Sequence, residues 1–232
     1  MKLHRFFAAF LVFTALLLQA QDVAQNPGQN PAEHSTVPTI TFDRLWEAYA
    51  PQNINFVVES TGPARYLSRN PVKAPDQKEA DPDFTLEFTM SQATREKIFR
   101  YAQEANYFNG DFSFKKHAVS STGKKTLTYA DQARHFETSY DYSENKAIAE
   151  ITTIFQGISN TIEHGRKLQY LRRFDKLGLE DELKGMESQA ESNYLAEIQL
   201  IAPTLESIAN DPAILNIARQ RAKRLLKKAP SP

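Results

Sequence analysis

The chain has 232 residues and carries 28 basic and 28 acidic side chains, a formal net charge of zero at pH 7. That balance gives no whole-molecule field to draw nucleic acid, while 41% hydrophobic residues with 15 Phe supply a real core. The absence of cysteine excludes disulfides, thiol catalysis, thiolate-bound zinc and a lipid-modified cysteine.

Lys2 and Arg5 precede an uncharged run from Phe6 to Leu18 in which only Thr14 is polar, and Ala20 closes it before Gln21. A basic start, a short apolar run and a small residue at its end make the pattern of a bacterial secretory signal peptide over residues 1–20. As a helix the run would reach about 20 Å, short of the ~30 Å hydrocarbon core of a membrane. No later apolar run approaches ~18 residues, so the mature chain is expected to have no transmembrane segment and to be periplasmic or secreted. Cleavage after Ala20 leaves two more acidic than basic side chains. Residues 21–39 are rich in Gln, Asn, Pro and Ala with almost no large apolar side chain. Such a composition cannot offset chain entropy and is expected to be a disordered tether.

An α+β domain is expected over 40–165. Ile54, Phe56 and Val58 alternate with more polar neighbours, and Thr61-Gly62-Pro63 turns the chain into a second arm over Ala64 to Arg69. After a proline-rich loop, Phe84, Leu86, Phe88 and Met90 give the cleanest half-buried strand. Ser91 is a natural N-cap for a helix over Gln92 to Ala105. Thr126 to Ala130 and Arg134 to Tyr142 form a second hairpin, with Leu127, Tyr129, Phe136, Tyr140 and Tyr142 expected on the core side. The fold class is therefore α+β: a five-stranded β-β-β-α-β-β antiparallel sheet packed by helices and followed by a C-terminal helical extension over 166–232.

From Ser143 the chain reads as helix almost to its end. Ile148, Ile151, Phe155, Ile158 and Ile162 form one stripe, and Gly157 and Gly165 mark either close packing or a bend. Gly178 is a stop, a second helix is expected from Glu180 to Ile201, and Asp211-Pro212 reads as the start of the last.

Candidate chemistry is sparse. His117 and His135, with outward-facing Glu137 and Asp141, would make a metal-binding or hydrolytic set if the segment Phe112 to Lys116 paired as a strand beside the second hairpin. No HxH or HExxH spacing preorganises them, and a solvated sheet face is the preferred reading. Ser120-Ser121-Thr122-Gly123 lacks a nucleophile elbow, and no phosphate-cradling glycine loop occurs. The cluster Tyr101, Tyr107, Phe108, Phe112 and Phe114 reads as core. No cofactor is expected.

Charge patterning says more. Glu180 to Asp211 holds eight acids and one base, Lys184, whereas Arg219 to Lys228 holds six bases and no acid. Complementing helix dipoles is the simplest explanation. Alternatively the two ends engage each other, a second copy or an anionic surface.

The stretches VVESTGPARYLS, FTLEFTMSQATREKIFRYAQEANYF, KTLTYADQARHFETSYDY and IAEITTIFQGIS together resemble, in element order, uncharacterised exported bacterial proteins of unknown function. Their order is also distantly similar to the small domain of emfourin-type protease inhibitors. The resemblance spans roughly residues 53–177, implies an antiparallel α+β domain, and transfers no inhibitory residue.

The expected function is non-enzymatic contact with an envelope protein or with a second copy. His135, Glu137 and Asp141 on the polar hairpin, and Arg219, Arg221 and Arg224 on the basic run, are the candidate contact residues. A hydrolase or metal-dependent enzyme using His117, His135, Glu137 and Asp141 is one alternative, and a homodimer built by the C-terminal helices is the other.

Overall fold

A computed structural model describes residues 36–70, 82–117 and 119–229. The expected signal peptide, residues 21–35 of the tether and residues 71–81 of the proline-rich loop lie outside these.

The end of the expected tether already belongs to a strand. β1 (Thr39–Leu45) places Ile40, Phe42 and Arg44 on one face and Thr39, Thr41 and Asp43 on the other. It pairs antiparallel with β2 (Asn53–Glu59) on one side and with β5 (Lys124–Ala130) on the other. β3 (Pro63–Arg69) and β4 (Phe84–Thr89) extend the sheet beyond β2, and β6 (His135–Tyr140) extends it beyond β5. The class is α+β as expected, but the antiparallel sheet has six strands in the order β4-β3-β2-β1-β5-β6, with the unanticipated strand at its centre.

Helices cover one face. α1 (Gln92–Glu104) starts at Ser91, whose hydroxyl accepts from Thr94 N, and α2 (Lys146–Phe174) starts at Asn145, whose side chain accepts from Ile148 N. Phe155 of α2 stacks on Phe42 with ring centroids 4.9 Å apart and lies 5.1 Å from Phe56. Ile98 and Ala102 of α1 join the same core. Each such large side chain contributes about 1.5–3 kcal/mol of transfer free energy, and together they hold the helices on the sheet. In the second hairpin Leu127, Tyr129 and Tyr140 are buried. Phe136 is only half-buried, and Tyr142 is 47% exposed because β6 ends at Tyr140.

α2 serves two cores. Ile148 through Ile162 face the sheet, whereas Leu168 and Leu171 face a second cluster built with α3 (Leu179–Glu191), α4 (Ala202–Asn210) and α5 (Asn216–Lys228). At 29 residues α2 is about 44 Å long, enough to span both. The helix expected from Glu180 to Ile201 stops at Glu191, because Asn193 and Glu197 adopt left-handed φ of 59° and 55°. A 3₁₀ turn (Ile198–Ile201) follows, and Pro203 sits in the first turn of α4. Asp211 ends α4 and does not start α5, which begins at Asn216. Gly178 is the residue that leads into α3, while α2 ends at Asp175.

The two glycines of α2 resolve as close packing. Ala196 N donates to Gly157 O at 3.2 Å, and a Cβ on Gly157 would lie 3.3 Å from Ala196. A Cβ on Gly165 would overlap Ile201 Cγ2. Without side chains at these two positions, the segment between α3 and α4 lies directly on α2.

Candidate functional site

The face of the sheet turned away from the helices is polar and ordered by register. Glu87, Arg65, Val57, Thr41, Thr128 and Glu137 are successive cross-strand neighbours from β4 to β6. None of them belongs to either core cluster. In the next row Asn55 Nδ2 donates to Asp43 Oδ1 at 2.8 Å, and the hydroxyls of Thr126 and Ser139 are 2.8 Å apart. Burial raises the Asp43 carboxyl above its ordinary value, Glu137 adding to the effect and the Asn55 hydrogen bond opposing it. Donors, acceptors and both signs of charge are presented in a fixed grid, which suits recognition.

Three of the expected contact residues lie at this margin. His135 and Glu137 are exposed on β6, and Asp141 follows its end. Asp141 accepts from Thr122 N at 2.8 Å and Thr122 Oγ1 at 3.0 Å. Burial raises its pKa, but the bonds from Ser121 and Thr122 outweigh this and the net shift is downward. The segment Phe112 to Lys116 is not a strand. It runs beside the hairpin through Phe114 N donating to Tyr142 O and Ser113 Oγ donating to Ser139 O, both at 2.9 Å. His117 meets Phe114 edge-on, with centroids 4.8 Å apart. Among the described residues no group of three or more His, Cys, Asp or Glu is placed to hold a metal ion, so His117, His135, Glu137 and Asp141 do not form one.

The basic run engages the acidic helix within the chain. Arg221 pairs with Glu180 at 3.0 Å and with Glu187, and Arg224 pairs with Glu187 at 2.6 Å. Arg219 donates to Asn216 Oδ1 at 3.3 Å. Of the roles open to this patch, contact between its own two ends is the one the fold displays.

Other polar clusters are tertiary and escaped sequence reasoning. Arg44 and Lys125 are cross-strand neighbours on the inner face, 4% and 2% exposed. Lys125 Nζ donates to the carbonyls of Thr122, Gly123 and Asp141 at 2.7–3.0 Å, tying the loop to the end of β6. Burial lowers its pKa to about 8, with Arg44 contributing in the same direction and Asp141 opposing. Further along α2, Tyr66 and Ser68 donate to Glu163, at 2.9 and 3.0 Å. His164 Nδ1 meets Glu182 at 2.5 Å, and Lys167 meets the other oxygen of the same carboxylate at 2.6 Å. Burial pushes the Glu182 carboxyl up, yet His164 and Lys167 hold it below its ordinary value. Neither set is signalled locally, since 18 residues separate His164 from Glu182.

Two cavities flank the β1–β2 loop. One of about 440 Å³ is bordered by Tyr49, Pro51, Asn160, His164, Asp181 and Gln189, and one of about 320 Å³ by Trp46, Tyr142, Asp141, Thr153 and Gln156. In comparisons with known proteins, the chain matches no protein-family model and no curated protein.

Proposed function

We propose that the chain is an exported, non-enzymatic protein that works through protein contacts, with the outer face of its sheet as the docking surface. The observation that carries this reading is the six-strand row from Glu87 to Glu137, polar at every position but Val57, on the face that neither core uses. The row reaches edge strand β6, whose Ser139 O already accepts from Ser113, so a partner is held by side-chain contacts on the face. A protease is one class of partner, on the distant similarity of element order to emfourin-type domains, an order from which the additional strand β1 departs. Export rests on the Lys2 to Ala20 pattern.

Affinity capture from the native envelope, with wild-type protein and a Thr41→Arg/Val57→Arg variant as paired baits, tests the contact surface. A partner retained by the wild type and lost by the variant is expected. Partners held equally by both baits would remove the outer face from consideration. N-terminal sequencing of the exported protein checks cleavage after Ala20.

A second reading, self-association through the helices, draws on Tyr170, Phe174 and Leu177. They are 60%, 63% and 73% exposed near the end of α2. Sedimentation of wild type against Phe174→Asp/Leu177→Asp decides it: a dimer that the variant abolishes supports the reading, and a monomer in both excludes it.

A further inference from the structure

Large apolar side chains stand exposed at one end of the helical bundle. Tyr170 and Phe174 close α2 with their rings 5.0 Å apart, and Leu177 follows in the turn to α3. Leu215 and Ile217, each half exposed, flank the start of α5. Two sets of contacts bring these segments to the same end. Lys176 Nζ meets Asp211 Oδ2 at 3.2 Å, which joins the α2–α3 turn to the α4–α5 turn. Arg221 reaches both Glu180 and Glu187 while Arg224 reaches Glu187, so α5 runs beside α3 in the same direction. Ile217, one turn before Arg221, therefore lies level with the start of α3, which Leu177 precedes by two residues. The apolar tip is made of helix ends and turns, not of a broad face.

Charge decides what covers this tip. Arg172, Arg173 and Lys176 are exposed among the apolar residues, and Arg219 lies one turn into α5. The acids beside them are engaged. Asp211 accepts from Ala213 N at 2.9 Å and pairs with Lys176, and Asp175 accepts from Gly178 N at 3.2 Å. Asp181 borders the cavity beside Tyr49 instead. Among the described residues Arg172 and Arg173 enter no ion pair, and Arg173 lies over the Phe174 ring, 5.0 Å from its centroid. Arg219 donates to Asn216 and not to a carboxylate. The tip thus combines exposed apolar side chains with guanidinium groups that lack a paired anion. A second copy docked here would bring the same cations to one interface, which is unfavourable. An anionic lipid surface supplies both the apolar interior and the counter-charge.

We propose that this end of the helical bundle docks peripherally on an anionic lipid bilayer. Phe174, Leu177, Leu215 and Ile217 enter the boundary between headgroups and acyl chains, Tyr170 lies at headgroup level, and Arg172 and Arg173 pair with lipid phosphates. The tip shares no residue with the outer face of the sheet, so a partner protein can be held while the chain rests on the bilayer.

The chain from Gln21 to Pro232 is sedimented with vesicles of phosphatidylcholine and with vesicles of equal parts phosphatidylcholine and phosphatidylglycerol, at low and at physiological ionic strength. Binding to the anionic vesicles is expected, weaker by roughly tenfold or more on the neutral ones and weakened by salt. Phe174→Asp/Leu177→Asp should abolish it, and Arg172→Gln/Arg173→Gln should weaken it by roughly tenfold or more. Ile217→Asp, on the other turn, should weaken it by roughly tenfold. All five side chains are exposed, so circular dichroism and Tm should stay near wild type in each variant. Thr41→Arg/Val57→Arg should bind vesicles normally, so this inference and the outer-face reading fail separately. No binding to anionic vesicles at millimolar lipid would overturn the proposal. So would equal binding to neutral and anionic vesicles, binding indifferent to the tip variants, or a lipid-free dimer that Phe174→Asp/Leu177→Asp abolishes.

Discussion

The two cores that share α2 are built differently. The sheet core is aromatic and large, with Phe42, Phe56, Tyr66, Phe108 and Phe155 all fully buried. The helical core contains no aromatic residue and is filled by Leu, Ile, Ala and one Met. Its seams carry paired charges: Glu182 with Lys167, the same carboxylate hydrogen-bonded to His164, and Glu187 with Arg221 and Arg224. A broad sheet offers a flat surface that large rings fill, whereas crossing helices approach closely only through small side chains such as Ala218 and Ala222. Polar pairing at the edges then sets which helix faces which. The sheet core thus rests on large rings, and the helical core on aliphatic side chains with paired charges at its edges.

Phe155→Ala is the most severe test of that contrast, since it removes the ring between Phe42 and Phe56. A loss of about 3–5 kcal/mol is expected by chemical denaturation. Leu183→Ala, in the middle of the helical core, should cost about 2–4 kcal/mol. Because α2 is continuous, circular dichroism and Trp46 fluorescence should still report one coincident transition in this variant. Two separated transitions would show that the cores unfold independently.

Glu197→Ala removes a 4% exposed carboxylate that accepts from Ser91 N at 2.9 Å and Ser91 Oγ at 2.6 Å. A cost of about 2–3 kcal/mol is expected, larger than for surface ion pairs. Gly165→Val drives a branched side chain into Ile201 and should cost about 1–3 kcal/mol in thermal unfolding.

Acid separates the cores in another way. The folded Glu182 carboxyl lies below its ordinary 4.5, so its contribution is fully present above that pH and lost as pH falls through the folded value. Glu182→Gln should destabilise at pH 7 and by progressively less in acid. Asp43 has the opposite sign. Its raised carboxyl penalises folding above the folded value and costs nothing below the ordinary 3.8. Asp43→Asn should therefore stabilise at neutral pH, and the gain should vanish in acid. Urea midpoints across pH 3–7 check both.

The sequence carried the parts of this fold that obey a period. Alternation at Ile54 to Val58 and at Phe84 to Phe88, and the stripe from Ile148 to Ile162, all became strands and helix as read. β1 broke the rule because its third inward position is Arg44, which is kept buried by Pro51 O at 2.8 Å and two aromatic rings. The break after Glu191 was hidden because apolar spacing runs on through Tyr194 and Ile198, with no proline or glycine to interrupt it. Left-handed backbone at Asn193 and Glu197 makes that turn, and neither residue type announces it reliably. The candidate sites were least legible. His135, Glu137 and Asp141 could be placed on an outer hairpin face, but the two cavities beside the β1–β2 loop bring Tyr49 to Asn160 and Trp46 to Thr153, more than a hundred residues later, a relation no local pattern encodes.

Glu197 has one more consequence, for the order in which the molecule can be completed. The first turn of α1 contains no acid, and its exposed amide end is met by a carboxylate 106 residues downstream. A chain emerging from amino to carboxyl end can form the sheet early, yet α1 holds only its local Ser91 cap until residue 197 is available. The last third of the polypeptide is therefore a late-arriving lock on the first helix. Shortening it near Gly178 would do more than trim an appendage: it would leave that lock open.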